Sequence, residues 1–321
     1  MRTAAIRRGP RGGILLLLLA MAPGAGCASL GISLYYERAA LPETRIVRNI
    51  RYYDGDDSDP ILNRLDLFLP DDSKGRGWPT MVFVHGGSWT EGDKDLKVAG
   101  ADVYGNIGRF FASQGIGTAV ISYRLLPSVD WKAQVLDVAR AVAWVHRHVE
   151  EYHGNPDAIF LAGHSAGAQL ASRVALDPAP LTTLGLSPRI LCGVIPISGV
   201  GYDFLDEETY RFGKEQGAVQ AIFHKDDISR KLRKKLSPIN FVTQDAPPFL
   251  ILDAGEDPEE IRHASQRLEH AFEAAGARSQ LYLVPQVSHR TMILALSHPR
   301  KMPAGLMTVF MKSSACGSAK R

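Results

Sequence analysis

Along most of its length the chain alternates short, near-continuous apolar runs with longer stretches in which apolar positions recur at helical spacing. Six runs, at residues 81–84, 118–121, 158–161, 194–197, 249–252 and 281–284, carry no charge, as parallel strands covered on both faces should. Residues 46–53 precede them as a first strand. Residues 63–69 then place Leu65, Leu67 and Leu69 on one face and Arg64, Asp66 and Phe68 on the other. The turn-rich stretch 54–60 makes these two segments an antiparallel pair. Between 132 and 152, Val135, Val138, Ala139, Val142, Val145 and Val149 form one helical stripe. Strands alternating with helices in this way predict an α/β fold with a mostly parallel, doubly wound sheet and helices on both faces. From 201 to about 244 the periodicity weakens and charge rises, with Lys231, Arg233, Lys234 and Lys235 close together. Such a run reads as a solvated helix face. Its place between the sixth and seventh strands predicts a small cap insertion over the pocket end of the sheet.

The 321 residues, 45% apolar and 22% charged, suffice for one large core, and a single domain over 46–312 is expected, with a short tail at 313–321. The balance of 37 basic and 34 acidic residues leaves +3, too weak a bias to indicate a nucleic-acid partner. The beginning of the chain changes the picture more. Arg2, Arg7, Arg8 and Arg11 precede an apolar run at 14–22, followed by Gly24, Ala25 and Gly26 before Cys27. That order is a signal peptide over 1–27, and the apolar run is well short of the ~20 residues a spanning helix needs. Small residues before Cys27 also resemble a lipoprotein processing site, so a lipid on Cys27 would tie the exported protein to a membrane through a tether at 28–45. Besides Cys27 there are only Cys192 and Cys316, from which no disulfide framework is expected. No cysteine or histidine cluster has metal-ligand spacing, so no metal or cofactor is indicated.

Gly163-His164-Ser165-Ala166-Gly167 follows an apolar strand and opens a helical pattern through Leu170 and Val174. A turn this sharp holds a serine in a strained conformation with Oγ exposed at the sheet's C-terminal edge, and the glycines leave room where backbones crowd. Ser165 is therefore the candidate nucleophile. His85-Gly86-Gly87-Ser88-Trp89 ends an earlier strand. Attack on a carbonyl creates an oxyanion that needs fixed donors, and the N–H groups of this loop, from Gly86, Gly87 and Ser88, together with Ala166, are the candidates. Trp89 is a candidate pocket wall, or simply packing. The acid and base are then expected after the last two strands. His289 is the candidate base, with His298 competing. Asp257 is the candidate acid, and Asp253 and Glu256 stand close enough to compete. His85 and His164 flank the motifs and are read as orienting the loops.

From about residue 46 to residue 310 the chain resembles the α/β-hydrolase superfamily, and within it carboxylesterases with an HGGxW oxyanion loop, such as prenylcysteine methylesterase-like, feruloyl-esterase-like and kynurenine-formamidase-like enzymes. The stretches that carry the resemblance are Asn63-Arg64-Leu65-Asp66-Leu67, HGGSW with Gly92-Asp93-Lys94, Ser122-Tyr123-Arg124-Leu125, Asn155-Pro156-Asp157, GHSAG, and Ser237-Pro238 ahead of Ala246-Pro247-Pro248. It implies a cofactor-free serine esterase acting on small carboxylic esters. Asp253-Ala254 stands where such families often have His-Gly before the acid, and Val287-Ser288 where a glycine often precedes the histidine. Two other readings stay open: an arylformamidase, amidase or peptidase using the same triad, and an exported binding protein that keeps the fold without turnover.

Overall fold

The computed structural model describes residues 36–71, 77–223 and 227–313. The signal peptide expected over 1–27, the lipid expected on Cys27 and nearly all of the tail lie outside them. Eight strands form one sheet: β1 (Ile46–Arg51), β2 (Arg64–Phe68), β3 (Trp78–Val84), β4 (Gly117–Ile121), β5 (Gly154–His164), β6 (Leu191–Ile197), β7 (Phe249–Ala254) and β8 (Ser279–Val284). Their order across the sheet is β1-β2-β4-β3-β5-β6-β7-β8. β2 is antiparallel to both neighbours, and every pairing from β4 to β8 is parallel. The expected doubly wound sheet with an antiparallel start is thus present.

Alternation along the strands feeds two cores. In β3, Val82 and Val84 face α2 (Trp131–His148) and α3 (Ala166–Leu176), where Val138, Val142, Leu170 and Val174 are buried. Met81 and Phe83 face the other layer, which holds Phe111 of α1 (Val103–Ser113) and Met307 of the C-terminal helix. Each such side chain contributes on the order of 1.5–3 kcal/mol by leaving water. The valine stripe of α2 is buried throughout, and the helix starts where the Asp130 carboxylate accepts the Ala133 N–H.

The face of β2 bearing Asp66 is covered: Asp66 is 3% exposed and pairs with the buried Lys94 at 3.1 Å and with Arg48 at 3.0 Å. Cys192, near the start of β6, is disulfide-bonded, a single bridge rather than a framework. It is the second residue of the strand and partly exposed, and its partner lies outside the described residues.

The connection from β6 to β7 carries three short helices, α4 (Glu207–Glu215), α5 (Ala218–Phe223) and α6 (Arg230–Leu236). They are anchored to α7 (Glu259–Ala275), where Arg267 pairs with Asp206 at 2.9 Å and Glu208 at 3.2 Å, and His263 meets Glu208 at 3.1 Å. Of the basic run on α6, Lys231, Lys234 and Lys235 are exposed as expected. Arg233 instead lies 3.3 Å over the Tyr210 ring and bonds Glu207 at 2.9 Å, locking α6 to α4.

Candidate active site

Three strand ends converge at the C-terminal edge of the sheet. At the first, β5 turns directly into α3, and Ser165 sits on the turn at φ 55°, ψ −120°, a conformation that costs a non-glycine residue energy and persists only where its surroundings hold it. The Ile197 carbonyl holds the Ser165 N–H at 2.9 Å. The flanking glycines let the backbones approach: a Cβ on Gly163 would lie 2.3 Å from the Gly167 carbonyl oxygen, and one on Gly167 2.4 Å from those of Val84 and His85. Ala166 opens α3, so its N–H has no helical acceptor.

At the second strand end, a tight turn after β7 brings the Asp257 N–H to the Ala254 carbonyl at 3.0 Å. The Asp257 carboxylate, 3% exposed, faces back inward. Its Oδ1 lies 2.7 Å from His289 Nδ1, and its Oδ2 accepts the Ala254 N–H at 3.0 Å. Burial pushes the Asp257 pKa up, but hydrogen bonds from His289, Ser198 and Ala254 outweigh it and hold the group below its ordinary value. The carboxylate fixes the proton of His289 on Nδ1 and leaves Nε2 as the acceptor. The competitors are elsewhere. Asp253 is buried against Ser265 Oγ at 2.8 Å, and burial pushes its pKa up to about 8. Glu256 is exposed. His298 lies 3.7 Å from Glu37 and accepts the Arg300 N–H.

His289 follows β8 as the first residue of a helix, Ser288 being its cap: Ser288 Oγ accepts the Thr291 N–H and Thr291 Oγ1 accepts the Ser288 N–H. This reciprocal cap is what Ser288 contributes beside His289. The imidazole of His164 packs 4.7 Å from that of His289 and donates from Nε2 to the His289 carbonyl at 3.0 Å. Burial, reinforced by the neighbouring His289, pushes His164 down to about 3, so it supports the loop as a neutral ring.

The loop after β3 forms the facing wall. Its chain reverses through Gly87 at φ +123°, where a Cβ would fall 2.0 Å from the Glu91 carbonyl oxygen, and continues through Ser88 at φ 50° and Trp89 at φ 64°. The N–H groups of Gly87, Ser88 and Ala166 have no protein acceptor among the described residues. That of Gly86 does: it donates to Tyr104 Oη at 3.3 Å. Gly86 is therefore not available as an oxyanion donor, which corrects its inclusion above. Its role is steric, since a Cβ there would lie 3.2 Å from that of Ser165. His85 is buried, stacked on Tyr123 at 4.3 Å, and burial pushes it down to about 4.

Ser165, His289, Ser88 and Trp89 line one cavity of about 280 Å³. Its other walls come from the cap and from α7: Val200, Phe204, Phe212, Glu260 and Ile261. Trp89 is only 4% exposed and donates from Nε1 to Gln169 Oε1 at 3.3 Å, and Gln169 in turn donates to the Leu236 carbonyl at 3.1 Å. It both packs and lines the cavity. Three contributors were missed in the sequence: Tyr104, Gln169 and Ser198. Ser198, fully buried at φ 43°, accepts the Ala254 N–H at 3.2 Å and bonds the Asp257 carboxylate. A polar residue directly after the apolar run of β6 was its one visible signal.

The eight-stranded order with one antiparallel strand, the serine on the turn after β5, the carboxylate after β7 and the imidazole after β8 define an α/β-hydrolase. Solved structures agree on the fold: esterase B from Lactobacillus rhamnosis superposes with a TM-score of 0.67 at 24% identity, covering 89% of this chain and 92% of that one. A truncated carbohydrate esterase from gut microbiota gives 0.68 at 19% identity, covering 86% and 97%. A family model described as BD-FAE matches residues 65–272, and the chain belongs to that family. It is also similar to Esterase LipQ of Mycobacterium tuberculosis, 30% identical over 254 residues that make up 78% of this chain and 59% of that protein. The isoprenylcysteine alpha-carbonyl methylesterase ICME of Arabidopsis thaliana is 26% identical over 247 residues, 74% of this chain and 56% of the relative. The chain thus spans less than two thirds of the length of either relative.

Proposed function

We propose that the protein is a serine hydrolase of small carboxylic esters. The observation that carries this reading is the 2.7 Å contact between His289 Nδ1 and the buried Asp257 carboxylate, on an imidazole that shares one cavity with Ser165. Ser165 Oγ attacks the ester carbonyl as His289 Nε2 takes its proton. The oxyanion is received by the uncommitted N–H groups of Gly87, Ser88 and Ala166. Collapse expels the alcohol with the proton from His289, and water then releases the acid by the same route. The names of the relatives LipQ and ICME and of the structural neighbour esterase B support the ester class.

The cavity of about 280 Å³ lies just below the ~300–1,000 Å³ usual for small-molecule sites, which favours short acyl groups. Export, with or without a lipid on Cys27, completes the proposal. It rests on the basic, apolar and small-residue order of the leader. The test is hydrolysis of p-nitrophenyl acetate by wild type beside Ser165→Ala, with kcat expected to fall on the order of 10⁶-fold. Equal turnover by the variant, or an inert but folded wild type, overturns the mechanism or the substrate class respectively.

A further inference from the structure

The cavity that holds Ser165 is apolar on nearly every side, yet one carboxylate belongs to its wall. Glu259 and Glu260 open α7 together, and acids in a first helical turn are ordinarily there for the helix dipole. The two are not equivalent. Glu259 is exposed and lies 3.7 Å from Arg262. Glu260 is half-buried, lines the cavity, and has no ion-pair or hydrogen-bond partner among the described residues. No lysine or arginine lines the cavity to balance it. Glu260 is the one acidic side chain among the residues lining the cavity, so a cationic group bound there meets an opposite charge beside the serine, while a neutral one does not. The walls around it include the rings of Trp89, Phe204 and Phe212, and aromatic faces attract cations but not anions.

Building on the esterase reading above, we propose that this cavity selects esters carrying an ammonium group, the cation being held between the Glu260 carboxylate and the aromatic rings of the cap. The chemistry is still hydrolysis at Ser165, and Glu260 acts on specificity by lowering the energy of the cationic substrate in the site. A neutral ester of the same shape gains only the apolar contacts.

Acetylcholine and its uncharged carbon isostere, 3,3-dimethylbutyl acetate, differ in that one charge. Acid release from each is followed by titration for wild type, Glu260→Gln and, as a control outside the cavity, Glu259→Gln. The ratio of kcat/KM for the cationic over the neutral ester is expected to fall on the order of tenfold in Glu260→Gln, and to stay at the wild-type value in Glu259→Gln. A ratio indifferent to Glu260, or one that falls equally in both variants, overturns the proposal. Calorimetric titration with tetramethylammonium separates this from failure of the esterase reading, because it needs no turnover. Binding to the wild type that weakens about tenfold in Glu260→Gln upholds the cation site even if neither ester is cleaved. No heat of binding to a folded wild type refutes the site even if both esters are cleaved.

Discussion

Asp257→Asn isolates the role of the carboxylate with almost no change of shape, and the surrounding hydrogen bonds dictate how the amide must sit. Oδ2 of Asp257 faces a donor, the Ala254 N–H at 3.0 Å, and the carboxylate also bonds Ser198. An asparagine keeps its carbonyl oxygen there, since an NH₂ group in that position would confront the Ala254 N–H. The NH₂ is then turned toward His289 Nδ1, which lies 2.7 Å from the native Oδ1. A donor at that place forces Nδ1 to accept, so the imidazole carries its proton on Nε2 and cannot take one from Ser165. A loss of this kind costs about 10⁴ in kcat, or ~5.4 kcal/mol of transition-state stabilisation. The assay is steady-state hydrolysis of p-nitrophenyl acetate at neutral pH, with circular dichroism to establish that the variant is folded. A KM near the wild-type value is expected, since Asp257 does not line the cavity. A folded Asp257→Asn within tenfold of wild-type kcat would refute the argument, most decisively if Asp253→Asn or Glu256→Gln were the silent variant.

Two other substitutions probe the same neighbourhood. Ser198→Ala removes one hydrogen bond to a charged group, worth ~1.5–3 kcal/mol, so kcat should fall by about tenfold or more with KM little changed; a change confined to KM would contradict a positioning role. Asp253→Asn tests the buried acid. With its pKa raised to about 8 from an ordinary 3.8, Asp253 leaves folded stability whole below about pH 4 and erodes it as pH rises toward 8. The amide keeps an acceptor for Ser265 without that charge. The variant should therefore match wild type near pH 4 and melt ~5 °C higher at pH 8, and a lower melting temperature at pH 8 would reverse the assignment.

Much of this arrangement was legible in the chain because it is local. The uncharged runs became the central strands, and the strand-then-helix context of Gly163–Gly167 located the Ser165 turn. β5 begins four residues before its apolar run, at Gly154 rather than residue 158. Asn155-Pro156-Asp157 reads as loop material, and only the neighbouring strand at Trp78 draws the chain into line. Asp253, Glu256 and Asp257 all follow the same strand, so spacing alone cannot separate them. The turn that points one at His289, buries another and exposes the third does. Gly86 looks like its neighbours in the sequence, and only the Tyr104 hydroxyl, from a helix beyond the next loop, withdraws its N–H from the site.

The bridge through Gln169 has implications for how such a protein changes. One side chain joins the loop that would receive the oxyanion, the helix that begins at the nucleophile, and the backbone of the cap at Leu236. The cap is therefore not a detachable module. A lineage or an engineer replacing α4–α6 to admit a new substrate also alters what holds Trp89, and with it the loop beside Ser165. New specificity on this scaffold has to arrive together with a compensating change at Gln169 or its partners, so successful cap exchanges should carry paired substitutions there.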